Sequence, residues 1–365
     1  MPWDLSEDLF EEIDSGQMRT QAQFRTRIPY GFSLCNDQTF FRKKPAGTLR
    51  LSIVGGSNVR RLKTADDLRG LVRAELGQPV EMINIGIRAC GSDRAVASVR
   101  EVLDFEIDQM LIYMGHNEFV SYTNPATYLS AEGEIVQEPG GPELRFLQLF
   151  TQILLEVKPP NLRALRKRVR NYNDAEKEIF YARFRDNLNT IILDCHRAGV
   201  EVILASVGYS YAHTPAGTID GLSYHEAMEG LEPKEIERRL NREPDNAFYA
   251  YAWGRILYDQ GKYEEAKALL DKSFLDAPRP SRANRRINQI ILEVAENRDI
   301  PFAPIREEIV SKTSHGLPGK DFFSDRCHLN EAGKKVLAEV FSKQVVRVVR
   351  ENMPEGMFKE DLAEE

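Results

Sequence analysis

Four stretches of this chain, LRLSIVG (49–55), VEMINIG (80–86), QMLIYMG (109–115) and VEVILASV (200–207), are apolar runs of strand length, and the first three close on glycine. Between the first two, residues 59–76 place Val59, Leu62, Leu68, Leu71, Val72 and Leu76 at helical intervals. From residue 93 onward Val96, Val99, Val102, Leu103 and Ile107 form a second helical stripe. Residues 174–198 read as a long helix before the fourth run. Apolar strands separated by helices of this length pair in parallel, and the crossover helices bury both faces of the sheet. A fifth strand is expected in DIPFAPI (299–305), followed by an amphipathic closing helix over 330–350 carrying Val336, Leu337, Val340, Phe341, Val345 and Val348. The expected fold class is therefore α/β, with a parallel sheet covered by helices on both sides.

Two segments interrupt this rhythm. TNPATYLSAEGEIVQEPGGPE, in the excursion 120–198, reads as loop, and 144–170 as helix with the basic tail LRALRKRVR, most simply a solvated face. Residues 247–280 place Trp253 and Gly254 on one helix, Gly261 and Tyr263 at a turn, and Ala266 and Ser273 on a second helix ending at Pro278. That pattern looks like one tetratricopeptide unit, with Gly and Ser at two positions usually held by Ala. A single repeat cannot bury its own faces, so the expectation is a helical insertion packed on the host, with a partner-binding groove as the second reading. The organisation is then a lead-in over 1–48, an α/β domain over 49–210 and 299–352, a helical insertion over 211–298, and an acidic tail over 353–365.

Composition narrows the function. With 29% charged and 42% hydrophobic residues the chain has the make-up of a globular domain, and its net charge of −7 argues against nucleic acid as a partner. No apolar run approaches a membrane span, and the acidic start MPWDLSEDLFEEIDSG lacks the features of a signal peptide, so a cytoplasmic location is expected. The four cysteines, Cys35, Cys90, Cys195 and Cys327, show no paired or metal-ligand spacing and read as reduced thiols. There is no metal motif, phosphate loop or dinucleotide fingerprint, so no metal and no cofactor is expected.

In an open parallel sheet, ligands bind beyond the carboxyl ends of the strands. Ser57 follows the first strand, NIGIRACGSD (84–93) the second and MGHNEF (114–119) the third, while FFSDRCHLNEAG (322–333) brings Asp325 and His328 three residues apart near the end. Each piece alone has a plain reading: Ser57 as a turn hydroxyl, His116 as a core or turn residue, Asp325 as a helix cap. Together they make the set that acyl transfer needs. Ser57 can attack, His328 can take its proton, Asp325 can hold the imidazole, and the N–H groups of Ser57 and Gly91 with the Asn117 amide can meet an oxyanion.

The blocks GGSN, NIGIRACGS, GHNE and DRCH, in this order, resemble those of the SGNH (GDSL-type) hydrolases. The resemblance covers roughly 49–119, 200–210 and 299–350. It implies a flavodoxin-like three-layer α/β/α sandwich with a five-stranded parallel sheet, to which the tetratricopeptide-like segment is added. It also implies Ser57 as nucleophile, His328 as base, Asp325 as its partner, and Ser57, Gly91 and Asn117 as the oxyanion hole. Gly56 stands where the family usually has Asp, Asn58 where it usually has Leu, and Glu118 where Asp is frequent. Gly86 rivals Gly91 as the oxyanion glycine. His116, Glu118 and Arg88 are candidates for substrate contact, and Arg60, Arg61, Arg88 and Arg94 for an anionic group, although surface or loop ion pairing is the better reading of any one of these arginines.

The resulting expectation is a serine esterase or deacylase acting on a small-molecule or glycan-linked acyl ester. An O-acyltransferase would use the same covalent step with an alcohol as acceptor. A third reading makes the domain a protein-interaction scaffold, with the helical repeat binding a protein partner and the chemistry dispensable.

Overall fold

Every residue of Leu49–Gly55 is buried, as a strand covered on both faces requires. The structure, a computed structural model, describes residues 9–13, 23–26, 38–62, 65–119, 127–129, 135–137 and 171–352. The expected helix over 144–170 and the tail 353–365 lie outside them. Within the expected lead-in, β1 (Phe10–Ile13), β2 (Gln23–Thr26) and β3 (Thr39–Phe41) form a small antiparallel sheet. It is held on by aromatic edges: the rings of Phe10, Phe24 and Phe40 lie 5.4, 4.9 and 5.0 Å from that of Phe105. Glu101 adds a carboxylate that accepts the N–H groups of Leu9 and Phe10.

The main sheet begins with β4 (Leu49–Gly55), followed by α1 (Ser57–Arg60), α2 (Ala65–Leu76), β5 (Val80–Gly86), α3 (Ser92–Val102) and β6 (Gln109–Tyr113). The helix expected over 59–76 is thus two helices. In the excursion, β7 (Thr127–Leu129) and β8 (Ile135–Gln137) pair antiparallel where the sequence reads as loop. Then come α4 (Asp174–Arg197) and β9 (Glu201–Ala205). The helices α5 (Tyr224–Met228), α6 (Pro233–Arg242), α7 (Ala247–Asp259), α8 (Tyr263–Leu275) and α9 (Arg285–Asn297) precede β10 (Phe302–Ala303), α10 (Ile305–Ser311) and α11 (Glu331–Glu351).

The five strands β10-β9-β6-β4-β5 are all parallel. From β4 the chain steps outward to β5, then crosses back to β6 on the other side, so the connections reverse between β4 and β6. Helices α2 and α11 pack together on one face, and α3, α4 and α9 on the other, which makes the three-layer sandwich. All six apolar residues expected on the closing helix are buried. Helix α9 buries Ile287, Ile290, Ile291 and Val294 in this same core, although its sequence falls in the expected insertion.

The pair α7 and α8 meets closely because Gly254 has no side chain; a Cβ there would lie 3.0 Å from Leu270 Cγ. Their shared core includes Tyr209 and Tyr211 from the segment after β9. Both tyrosine hydroxyls donate to Asp271 of α8, at 2.9 and 2.6 Å, and Tyr251 of α7 donates to the Tyr211 carbonyl at 3.2 Å. The pair is therefore seated on the sandwich rather than free of it. Among the described residues no helix is long and apolar enough to cross a membrane.

Register brings Gly55 opposite Gly86 on one side and Tyr113 on the other. A Cβ on Gly55 would lie 2.2 Å from the Tyr113 carbonyl oxygen, whereas one on Gly70, within α2, would meet nothing within 4 Å. Gly55→Ala is expected to destabilise the fold by about 3 kcal/mol through overpacking at the sheet centre. Gly70→Ala should stabilise it by about 0.5–1 kcal/mol by restricting the unfolded chain. Urea unfolding midpoints of the two variants should therefore move in opposite directions.

Candidate active site

Ser57 sits two residues beyond β4 and opens α1, so the reversal point of the sheet lies beside it. Its Oγ is 2.7 Å from His328 Nε2, and His328 Nδ1 is 2.5 Å from Asp325 Oδ2. The other Asp325 oxygen accepts the backbone N–H groups of Cys327 and His328, at 3.0 and 2.9 Å. Burial opposes charge on Asp325, but these N–H groups and the imidazole outweigh it and hold its carboxyl down to about 2. His328 lies below its ordinary value: burial and the Arg61 and Arg282 charges disfavour the imidazolium more than Asp325 favours it. A neutral imidazole with Nδ1–H directed at Asp325 leaves Nε2 as acceptor for the Ser57 hydroxyl.

The loop bearing His328 is pinned twice. Ser324 N–H donates to the His328 carbonyl at 2.8 Å, which closes the loop on itself. Asn58, next to Ser57, donates from Nδ2 to the Cys327 carbonyl at 2.8 Å and accepts the Leu329 N–H on Oδ1 at 2.9 Å. One buried side amide thus grips the backbone on both sides of the histidine. Asn58 is the residue that sequence reasoning treated only as a replacement for Leu; its block position was visible, but its partners 269 and 271 residues away were not.

The candidate oxyanion groups differ in their occupation. Gly86 N–H donates to Asn84 Oδ1 at 2.8 Å, and its Cα packs so closely on α1 that a Cβ would fall 2.4 Å from Arg60 N. Gly91 instead caps α3 beside Cys90, whose carbonyl accepts Asn117 Nδ2 at 3.0 Å. That bond uses one of the two Asn117 amide hydrogens. A Cβ on Gly56 would come within 2.3 Å of Asn117 Nδ2, so the missing side chain at 56 is what lets Asn117 approach the Ser57 turn. Ser57 N–H is at the first position of α1, where no intrahelical acceptor exists.

The remaining candidates lie further out. Glu118 is buried and accepts Ser92 N–H at 3.2 Å and Ser92 Oγ–H at 2.6 Å, so it holds the first turn of α3 next to Gly91. Burial pushes its carboxyl up to about 7. His116 is buried with neither ring nitrogen hydrogen-bonded among the described residues, and burial, aided by the Arg282 and His328 charges, pulls it down to about 3. Arg88 is exposed on the loop between β5 and α3, beside Ala89 with φ +54°. Asp325, Cys327 and His328 bring three possible metal donors within 4.8 Å. Both nitrogens of His328 are already engaged, and burial pushes the Cys327 thiol up to about 11, so it is neutral. The described cysteines 90, 195 and 327 are free thiols.

No family model and no curated protein matches the sequence. Among solved structures, the chain is similar to a GDSL-like lipase from Bacteroides thetaiotaomicron, with 11% identity, 82% of this chain and 88% of that chain covered, and a TM-score of 0.39. It is similar to an acetylxylan esterase from Geobacillus stearothermophilus, with 13% identity, 81% and 94% covered, and a TM-score of 0.39. A third, an acetyl xylan esterase, shares 11% identity over 81% of this chain and 100% of its own, with a TM-score of 0.41.

His116 and Glu118 make opposite contributions to stability. Between about pH 3 and 6.5 the unfolded chain binds a proton that folded His116 refuses, so this residue makes stability rise with pH. Between about pH 4.5 and 7 folded Glu118 keeps a proton that the unfolded chain releases, so this residue makes stability fall with pH. Relative to wild type, E118Q should gain, and H116Q lose, a rise in stability of up to about 1.4 kcal/mol per pH unit between pH 4.5 and 6.5. Urea titrations at pH 4.5, 5.5 and 6.5 check this directly.

Proposed function

We propose that this protein is a serine esterase of the SGNH type, acting on an acyl ester through Ser57, His328 and Asp325. The observation that carries the reading is the continuous chain from Ser57 Oγ to His328 at 2.7 Å and from His328 to Asp325 at 2.5 Å, placed beyond the carboxyl ends of a parallel sheet. Isolated turn serines have no reason to meet a neutral, carboxylate-oriented imidazole.

In the first half-reaction Ser57 Oγ bonds to the ester carbonyl carbon while its proton passes to His328 Nε2. The carbonyl oxygen becomes an oxyanion, for which Ser57 N–H, Gly91 N–H and the second Asn117 amide hydrogen are the assigned donors. Asp325, kept ionised, stabilises the imidazolium formed at that moment. Collapse breaks the bond to the alcohol, which leaves with the proton from His328. Water then repeats the sequence on the acyl-serine: it gives its proton to His328, bonds to the acyl carbon, and releases Ser57 and the carboxylic acid.

Intact-protein mass after treatment with a fluorophosphonate should show one adduct, absent from Ser57→Ala and His328→Ala. On a short acyl ester each substitution should lower kcat by about 10⁴-fold or more. The acid limb of kcat/KM should lie below about pH 6.5, because protonation of the depressed His328 removes the base. An unlabelled, well-folded wild type would sink the reading.

A further inference from the structure

The loop that carries the triad histidine also carries a cation that acyl transfer does not use. Arg326 lies between Asp325 and Cys327, and two more arginines, Arg279 and Arg282, come from the segment joining α8 to α9. With Tyr209, Ser210 and Ser281 they line one narrow cleft. The arginines are held in place: Arg326 Nη1 donates to Ser281 Oγ at 3.2 Å, and Arg282 Nη1 to the Ser281 carbonyl at 2.8 Å. The Arg282 guanidinium also reaches the Cys327 thiol, one residue from His328.

Among the described residues, none of the three guanidinium groups has a carboxylate within ion-pair distance. Asp325, the acid next to Arg326 in the chain, has its oxygens committed to His328 and to two backbone N–H groups. Three half-buried like charges therefore face one cleft in a protein whose net charge is −7, where carboxylates are in excess. Burial, and the charge of Arg282, pull both Arg279 and Arg326 below the ordinary arginine value. Arg326 is two residues from His328 in the same loop, so the cleft shares with the imidazole the segment that carries both. Paired guanidinium groups present planar forks that match the oxygens of carboxylate and phosphate.

We propose that this cleft is an anion subsite of the esterase site, where Arg282 and Arg326, flanked by Arg279, seat a carboxylate or phosphate group carried by the ester substrate. The subsite rests on the esterase reading for its use, but not for its binding of anions. It makes the preferred substrate an acidic ester rather than a neutral one, and it gives the segment after the α7–α8 pair a part in substrate choice.

Calorimetric titration of the full chain at low ionic strength, with inorganic phosphate and with succinate as probes, tests the binding. Saturable binding of either probe is expected, weakened about tenfold or more in each of Arg282→Gln and Arg326→Gln. It should be kept in Arg255→Gln, a charge control on α7. Which probe binds more tightly tells phosphate from carboxylate. The two single variants are read separately, with circular dichroism confirming the fold, so the loss of one to misfolding leaves the other as the test. The ratio of kcat/KM for mono-4-nitrophenyl succinate over 4-nitrophenyl acetate should fall in the same variants. Hydrolysis of the acetate with no anion binding by wild type, or with binding unchanged in the variants, overturns the subsite and leaves the esterase intact. Arginine-dependent anion binding without hydrolysis of either ester supports the subsite and removes the esterase reading.

Discussion

Ser57 and His328 are 271 residues apart in the chain and 2.7 Å apart in space, and the site depends on that single join. Neither end is free to wander. Ser57 is delivered by a fully buried strand whose last residue, Gly55, lies against Tyr113 on the neighbouring strand. His328 is delivered by a short closed loop immediately before α11, which is anchored in the core by Phe341 and Val345. Asn58 ties the two ends together through both ends of its amide, so the distance between Ser57 and His328 is set by its hydrogen bonds to the backbone on either side of the histidine. Preorganisation of this kind is what lets a weak nucleophile such as serine react.

The electrostatics around the join follow from burial. Burial pushes both His116 and Glu118, flanking Asn117, toward the neutral form, the first by refusing a proton and the second by keeping one up to about pH 7. The charges that act on His328 are then those of Asp325, which favours the imidazolium, and of Arg61 and Arg282, which oppose it. The carboxylate steadies a developing imidazolium, while the cations oppose it until an anion sits among them. An acidic substrate would both bind and relieve that opposition.

The helical pair α7–α8 bears on the site only through the segment that leads out of α8. Its own core is completed by Tyr209 and Tyr211, so it is fastened to the sandwich at the strand end nearest the cleft. The chain leaves α8 through Arg279 to Arg282 and enters α9, which is a sandwich helix. A division that groups α9 with the repeat follows the sequence pattern, since helices adjoin helices there, but the burial of Ile287 and Ile291 places it in the sheet's core.

What the sequence by itself determined is local and periodic: the sheet strands, the closing helix, the α/β class, and the residue types that acyl chemistry needs in blocks at strand ends. Those signals are legible because a strand or helix repeats its own pattern within a few residues. The aromatic sheet of Phe10, Phe24 and Phe40 had no such pattern, since it is held by Phe105 from elsewhere in the chain. Gly91 and its rival Gly86 differ in their surroundings, since the Gly86 N–H is spent on Asn84 whereas Gly91 follows Cys90, whose carbonyl holds Asn117, and no local pattern carries that difference. The grip of Asn58 and the gathering of Arg279, Arg282 and Arg326 were likewise decided only by tertiary structure. Each depends on which distant segments the sheet order brings to one edge, and that information resides in no single stretch of the chain.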